Sequence, residues 1–186
     1  SSNLRDKETG QALFQTHVIK KTGGLRMGIF SLLSPHFFAG ELDPRTRGIV
    51  VREPLEEAKS ILEKIRPETD LVVLLSHLGY TADIELAETL PGIDVILGGH
   101  SGRSLSYPIR IRDTIIVQTG SKGLHVGELR LQPTPDRSSR PDSTLKAAIP
   151  LSHPDKEHPE IAEMVQAYKM KHSPEWFKAG EMCADE

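Results

Sequence analysis

Two of the eight histidines stand apart because each closes an apolar run beside glycine. Leu71 to Leu75 (LVVLL) leads into Ser76-His77-Leu78-Gly79, and Ile93 to Leu97 (IDVIL) leads into Gly98-Gly99-His100-Ser101. Imidazole is a common ligand for zinc, iron and nickel, and manganese or cobalt also accept it. His17, His36, His125, His153, His158 and His172 lack this setting and read as surface or structural residues. A pair alone does not complete a metal centre: zinc takes three or four protein ligands, and a two-metal hydrolytic site adds more, usually with a bridging carboxylate. Neither Asp-x-His nor His-Glu-x-x-His occurs. The nearest acids read otherwise, Asp83 as a helix start, Asp94 as a strand opening and Asp113 as a turn. Ser31, Ser34 and Ser76 lack the Gly-x-Ser-x-Gly elbow of a serine hydrolase, and Gly23-Gly24 and Gly98-Gly99 fit no phosphate-loop pattern.

The elements around the pair explain how it could be positioned. Both apolar runs suit parallel strands buried on two faces, and ligands collect outside the carboxyl ends of such strands. Adjacent strands would therefore bring His77 and His100 to one rim. If both bind one ion, their rings lie within about 8 Å, given imidazole–metal bonds of about 2 Å. Between the runs, Thr81 reads as a helix cap followed by Asp83 and Glu85, with Ile84, Ala87 and Leu90 at helical spacing before Pro91-Gly92. A preceding helix from Pro54 to Arg66 has proline at its first position and Leu55, Ala58, Ile61, Leu62 and Ile65 as its apolar stripe. Right-handed crossovers put both helices on one face if the strands add in one direction.

Upstream, Ala12 to Ile19, Gly23-Gly24 and Leu25 to Leu33 read as an opening hairpin, followed by an irregular loop through Gly40, Pro44 and Gly48. Downstream, Tyr107 to Ile111 and Thr114 to Gln118 form a second hairpin, and Val126 to Leu131 is a last strand at which the sheet ends. The Pro/Ser/Asp-rich stretch from 132 to 143 reads as a loop. From His158 a helix places Ile161, Met164, Val165 and Tyr168 on one face, which must dock on something.

Composition narrows the classes of function. With 186 residues, 37% hydrophobic and 26% charged, the chain suits one globular domain with appendages. Only 5% is aromatic and the net charge is −3, which argues against a base-stacking platform or a basic stripe for a nucleic-acid polymer. No apolar run approaches the roughly 18 residues of a membrane span. The single cysteine, Cys183, allows no internal disulfide or cysteine-based zinc cluster. The chain opens at Ser1 without methionine or a signal-peptide pattern.

The stretch LLSHLGYTADIELAETLPGIDVILGGHSG resembles the later motifs of the calcineurin-like metallophosphoesterases, specifically the 5'-nucleotidase class. SNLRDKETGQALFQTHVIKKTGGLRMGIFSLLSP is similar to the region after the Gly-Asn-His motif of that family, and YPIRIRDTIIVQTGSKGLHVGELRL to the closing hairpin of its catalytic domain. HPEIAEMVQAYK is similar to the helix leaving it, so the likeness runs to about residue 170. It implies an α/β fold, part of a four-layer α/β/β/α metallophosphoesterase sandwich followed by a linker and a C-terminal helix. Residues 1–132 would be the C-terminal half of the domain, 133–157 a loop or linker, and 158–186 the C-terminal helix and tail.

The resemblance further implies part of a metal-dependent phosphoric-ester hydrolase, in which metal-activated water attacks an ester such as a nucleotide. His77 and His100 would be ligands of one of two divalent ions (Zn, Mn, Fe or Co). No catalytic or substrate-contacting residue is identified. The partners would be a phosphate-ester or nucleotide substrate and the missing N-terminal half, and the location periplasmic or extracellular. Gly102 stands where the family usually has histidine or glutamine as a ligand of the other metal, and the Asp-x-His, Gly-Asp and Gly-Asn-His motifs would lie before Ser1. A degenerate, non-catalytic binding or scaffold domain is the alternative. By itself the chain should hold metal weakly, hydrolyse no phosphate ester and expose an apolar face of its sheet.

Overall fold

A computed structural model of the protein describes residues 1–37, 47–132, 142–150 and 158–171. It divides into two compact units, Ser1–Pro150 and Leu151–Glu186. In the first unit, β2 (His17–Thr22), β3 (Leu25–Leu33), β5 (Leu71–His77), β6 (Val95–Gly98), β8 (Thr114–Val117) and β7 (Ile109–Ile111) form one sheet in the order β2-β3-β5-β6-β8-β7. The four central strands are parallel, and the two outer ones pair antiparallel as the predicted hairpins. β1 (Leu4–Asp6) and β4 (Ile49–Val51) form a short separate pair that the sequence did not announce. Three residues per strand are too few to show a period.

Helices α1 (Pro54–Ile65) and α2 (Tyr80–Thr89) cover the same face, as predicted. On that face Phe30, Leu74, Ile96 and Ile116 are register partners across four strands. They pack in one buried cluster with Ala58, Ile61, Leu62 and Ile65 of α1 and Leu86 and Ala87 of α2. Each large apolar side chain buried there contributes about 1.5–3 kcal/mol. The other face is less complete. Leu75 and Leu97 are register partners yet 45% and 40% exposed. Parallel sheets are normally covered on both faces, and among the described residues this pair of leucines is half-exposed.

Three expectations change. The α2 N-cap is Gly79, at φ 100 with no side-chain cap bond, rather than Thr81. The glycine turns the chain sharply out of β5, and the cap lies two residues earlier. Within the stretch read as loop or linker (133–157), Asp142–Pro150 is a strand, β10, which pairs antiparallel with β9 (His125–Gln132). The proline-rich approach hid it, because a strand that depends on one partner is defined by pairing rather than by its own composition. Hence β9 does not close the main sheet but belongs to a second, two-stranded one. The expected loop around Gly40 and Pro44, the rest of the linker and the C-terminal tail lie outside the described residues. The second unit contains α3 (Pro159–Lys171), on which Ile161, Met164, Val165 and Tyr168 are exposed.

Candidate metal-binding site

His77 is the last residue of β5, and His100 lies two residues beyond β6, its parallel neighbour. Their ring centroids are 4.9 Å apart with planes at 60°. Two imidazoles sharing one ion through bonds of about 2.1 Å have centroids about 5 Å apart, which is the spacing of this pair. Burial first, and the neighbouring His100 second, hold the His77 imidazole below the usual histidine range. The neutral ring, which a metal requires, is thereby favoured.

Strand alternation sends Ser76 to the opposite, helix-covered face. There its hydroxyl donates to Asp83 Oδ1, and the Leu78 N–H donates back to Ser76 Oγ at 3.1 Å. Gln118 Nε2 donates to Asp83 Oδ2 at 3.0 Å, and Ser101 Oγ donates to Gln118 Oε1 at 2.8 Å. Asp83 is fully buried, and desolvation raises its pKa to about 6, against the lowering effect of Ser76 and Gln118. The reading of Asp83 as a helix-start acid is therefore incomplete: it sits in the first turn of α2 but serves the strand ends. Asp94, expected to open the strand, stands just before β6, and its carboxylate accepts from the Val72 N–H at 2.6 Å at the opposite end of the sheet from the histidines. Asp113 lies in the β7–β8 turn.

Among the described residues, no group of three or more His, Cys, Asp or Glu converges as a metal site. The backbone at Gly102 has φ 65, a conformation suited to glycine. His125, read as structural, has a buried Nδ1 with no hydrogen-bond partner among the described residues. At the start of α2 an open pocket of about 480 Å³ is lined by Gly79, Tyr80, Glu85, Ser101 and Arg103 among others. The Arg103 guanidinium stacks 4.3 Å over the Tyr80 ring, which leaves a cation at the pocket wall.

No protein-family model matches the chain. A 5'-nucleotidase of Vibrio cholerae is 30% identical over 115 residues, covering 54% of this chain and 21% of the relative. Among solved structures, the sulfate thiohydrolase SoxB of Thermus thermophilus, in complex with glycerol, superposes with a TM-score of 0.82 at 25% identity, covering 92% of this chain and 32% of that one. A 5'-nucleotidase precursor, also from Thermus thermophilus, gives a TM-score of 0.66 at 27% identity, over 81% of this chain and 33% of that one. The chain thus spans about a fifth of the curated relative and about a third of each structure.

Proposed function

Starting from a chain similar in sequence and fold to part of the calcineurin-like metallophosphoesterases of the 5'-nucleotidase class, we propose that it supplies one corner of a metal-dependent phosphoric-ester hydrolase site. The observation that carries this is the His77–His100 pair, 4.9 Å apart at the carboxyl ends of adjacent parallel strands. A divalent cation (Zn, Mn, Fe or Co) held there would polarise a phosphoryl oxygen and lower the pKa of water. His77 and His100 would hold it through neutral imidazoles, while Arg103, stacked on Tyr80 at the start of α2, would offer an anionic ester a cation. A second cation and the remaining ligands would come from the part of the domain that this chain does not contain. The face bearing Leu75 and Leu97 is the natural seat for that part. A nucleotide is the proposed substrate and the periplasm or cell exterior the proposed location. No helix among the described residues is long and apolar enough to cross a membrane.

The 0.82 superposition on a sulfate thiohydrolase favours a second substrate class, a sulfur oxyanion ester attacked in the same way. The experiment is to purify the intact protein and assay it with manganese, cobalt or zinc against a nucleoside monophosphate, an aryl phosphate and an S-sulfonate (R–S–SO3−). Metal-dependent turnover that falls more than about 100-fold in His77→Ala and in His100→Ala is the expected result. Phosphate-ester turnover supports the first reading and S-sulfonate turnover the second. Absence of both, with no metal bound, identifies a non-catalytic domain. The 186-residue chain alone should be inactive, and metal-dependent turnover by it would reveal ligands beyond the pair.

A further inference from the structure

The two imidazoles are mounted on a backbone that is held from the other side of the sheet. Ser76 and Gly98 are register partners on β5 and β6, and Gln118 follows Val117, the partner of Leu97. The three positions form a row under α2, where Asp83 receives the Ser76 hydroxyl on one oxygen and the Gln118 amide on the other. Gly98 makes this possible. A Cβ there would lie 2.5 Å from both Asp83 Oδ2 and Gln118 Nε2, so any side chain would part the carboxylate from the amide.

The network reaches both histidines through their neighbours. Ser76 precedes His77. Ser101, tied to Gln118, follows His100. His100 itself has φ 70, and the Ser101 N–H donates to Gly99 O at 2.8 Å, which makes a γ-turn with positive φ centred on the histidine. This turn is rare and strained, and such a conformation persists only where its surroundings over-determine it. The Ser101 hydroxyl is a side-chain anchor of that turn.

We propose that Asp83 is a positioning residue of the metal site: through Ser76 it sets the strand end that carries His77, and through Gln118 and Ser101 it holds the strained turn that presents His100. This deepens the metal-site reading and rests on it for the functional consequence, whereas the placement of the two rings is independent of metal. Groups that orient ligands from behind commonly change metal affinity by about 10–100-fold when removed.

The test compares Asp83→Ala, Asp83→Asn, Ser101→Ala and, as a control, Thr114→Val in the intact protein. Thr114 is buried and its hydroxyl donates to Ile93 O at 2.8 Å, before β6 and so at the end of the sheet away from the histidines. Three readouts are taken: the melting temperature, the side-chain NMR signals of His77 and His100 without metal, and the Co²⁺ dissociation constant from its visible absorption. Asp83→Ala should move both histidine signals and weaken Co²⁺ binding about 10–100-fold. Asp83→Asn should largely restore both, because Gln118 can turn its amide to accept from the new donor. Ser101→Ala should move the His100 signal more than that of His77. Thr114→Val should lower the melting temperature and leave the signals and Co²⁺ affinity in place.

Unmoved histidine signals in a folded Asp83→Ala protein would overturn the proposal. If that variant does not fold, an unmoved His100 signal in Ser101→Ala overturns it instead. Should the signals move while His77→Ala leaves Co²⁺ binding unchanged, the positioning role stands and the metal reading falls.

Discussion

At the amino-terminal ends of its parallel strands the sheet is tied by carboxylates paired with arginines, whereas beneath the histidine pair, at the carboxyl-terminal ends of β5 and β6, it is tied by a carboxylate paired with neutral donors. Before β6, Asp94 meets Arg66 at 2.6 Å while accepting the Val72 N–H. Before β5, Asp70 accepts the Arg26 N–H at 2.8 Å and faces its guanidinium at 3.4 Å. These pairs are part-exposed, so little desolvation opposes them and their modest benefit goes to stability. Asp83 is the reverse case. It is buried, met by a hydroxyl and an amide, and pushed up to about 6. Burying a carboxyl without a cation is a poor way to stabilise a fold. That it occurs beneath the histidine pair fits the placement role proposed for Asp83, while the buried ion pair of Glu57 with Arg5, beside the end of β3, is of the kind seen at the other end. Perturbed titrating groups concentrate at functional sites.

The largest break in this contrast comes from Gly98→Val. Its side chain would enter the space between Asp83 and Gln118, and overpacking there should cost about 3 kcal/mol in denaturant unfolding and disturb the histidine pair as well. Next is the pH response. Because folding raises the Asp83 pKa from 3.8 to about 6, its contribution to stability is fully present below about pH 3.8 and is lost as pH rises through about 6. The loss is about 3 kcal/mol. Unfolding curves from about pH 4 to about pH 7 should show that decline in the parent protein and much less of it in Asp83→Asn; parallel curves would remove the contrast.

Asp94→Ala probes the opposite end. It should cost about 1.5 kcal/mol by releasing the Val72 N–H and Arg66, yet leave Co²⁺ affinity unaltered. A change in affinity would mean that the two ends are coupled through β5 and β6. The smallest effect belongs to Arg26→Ala, whose partly exposed pair with Asp70 should be worth under about 1 kcal/mol and fade with salt. A larger loss would show that the amino-terminal ends carry more of the stability than their exposure suggests.

Much of this was legible in the residues themselves. The strands before Ser76 and Gly98, helices α1 and α2, both hairpins and the shared face of the helices follow from apolar runs, periodicity and the hand of the crossovers, all of which are local or nearly so. The proximity of His77 and His100 followed too, since two parallel strands that add in one direction end on one rim. β10 escaped because its identity depends on β9, and Thr81 was mistaken for the cap because Gly79 gives no side-chain signal at all.

What the sequence by itself determined, then, is where the two imidazoles would emerge. Only the tertiary structure decided what holds them there. In the sequence Asp83 is an acid in the first turn of a helix, a solvent-facing role that dipole reasoning explains completely. Its partner Gln118 lies 35 residues away. The two meet because the register of three strands aligns Ser76, Gly98 and Gln118 in one row and because Gly98 leaves that row open. Register is set by packing across the whole sheet, so no local pattern carries it.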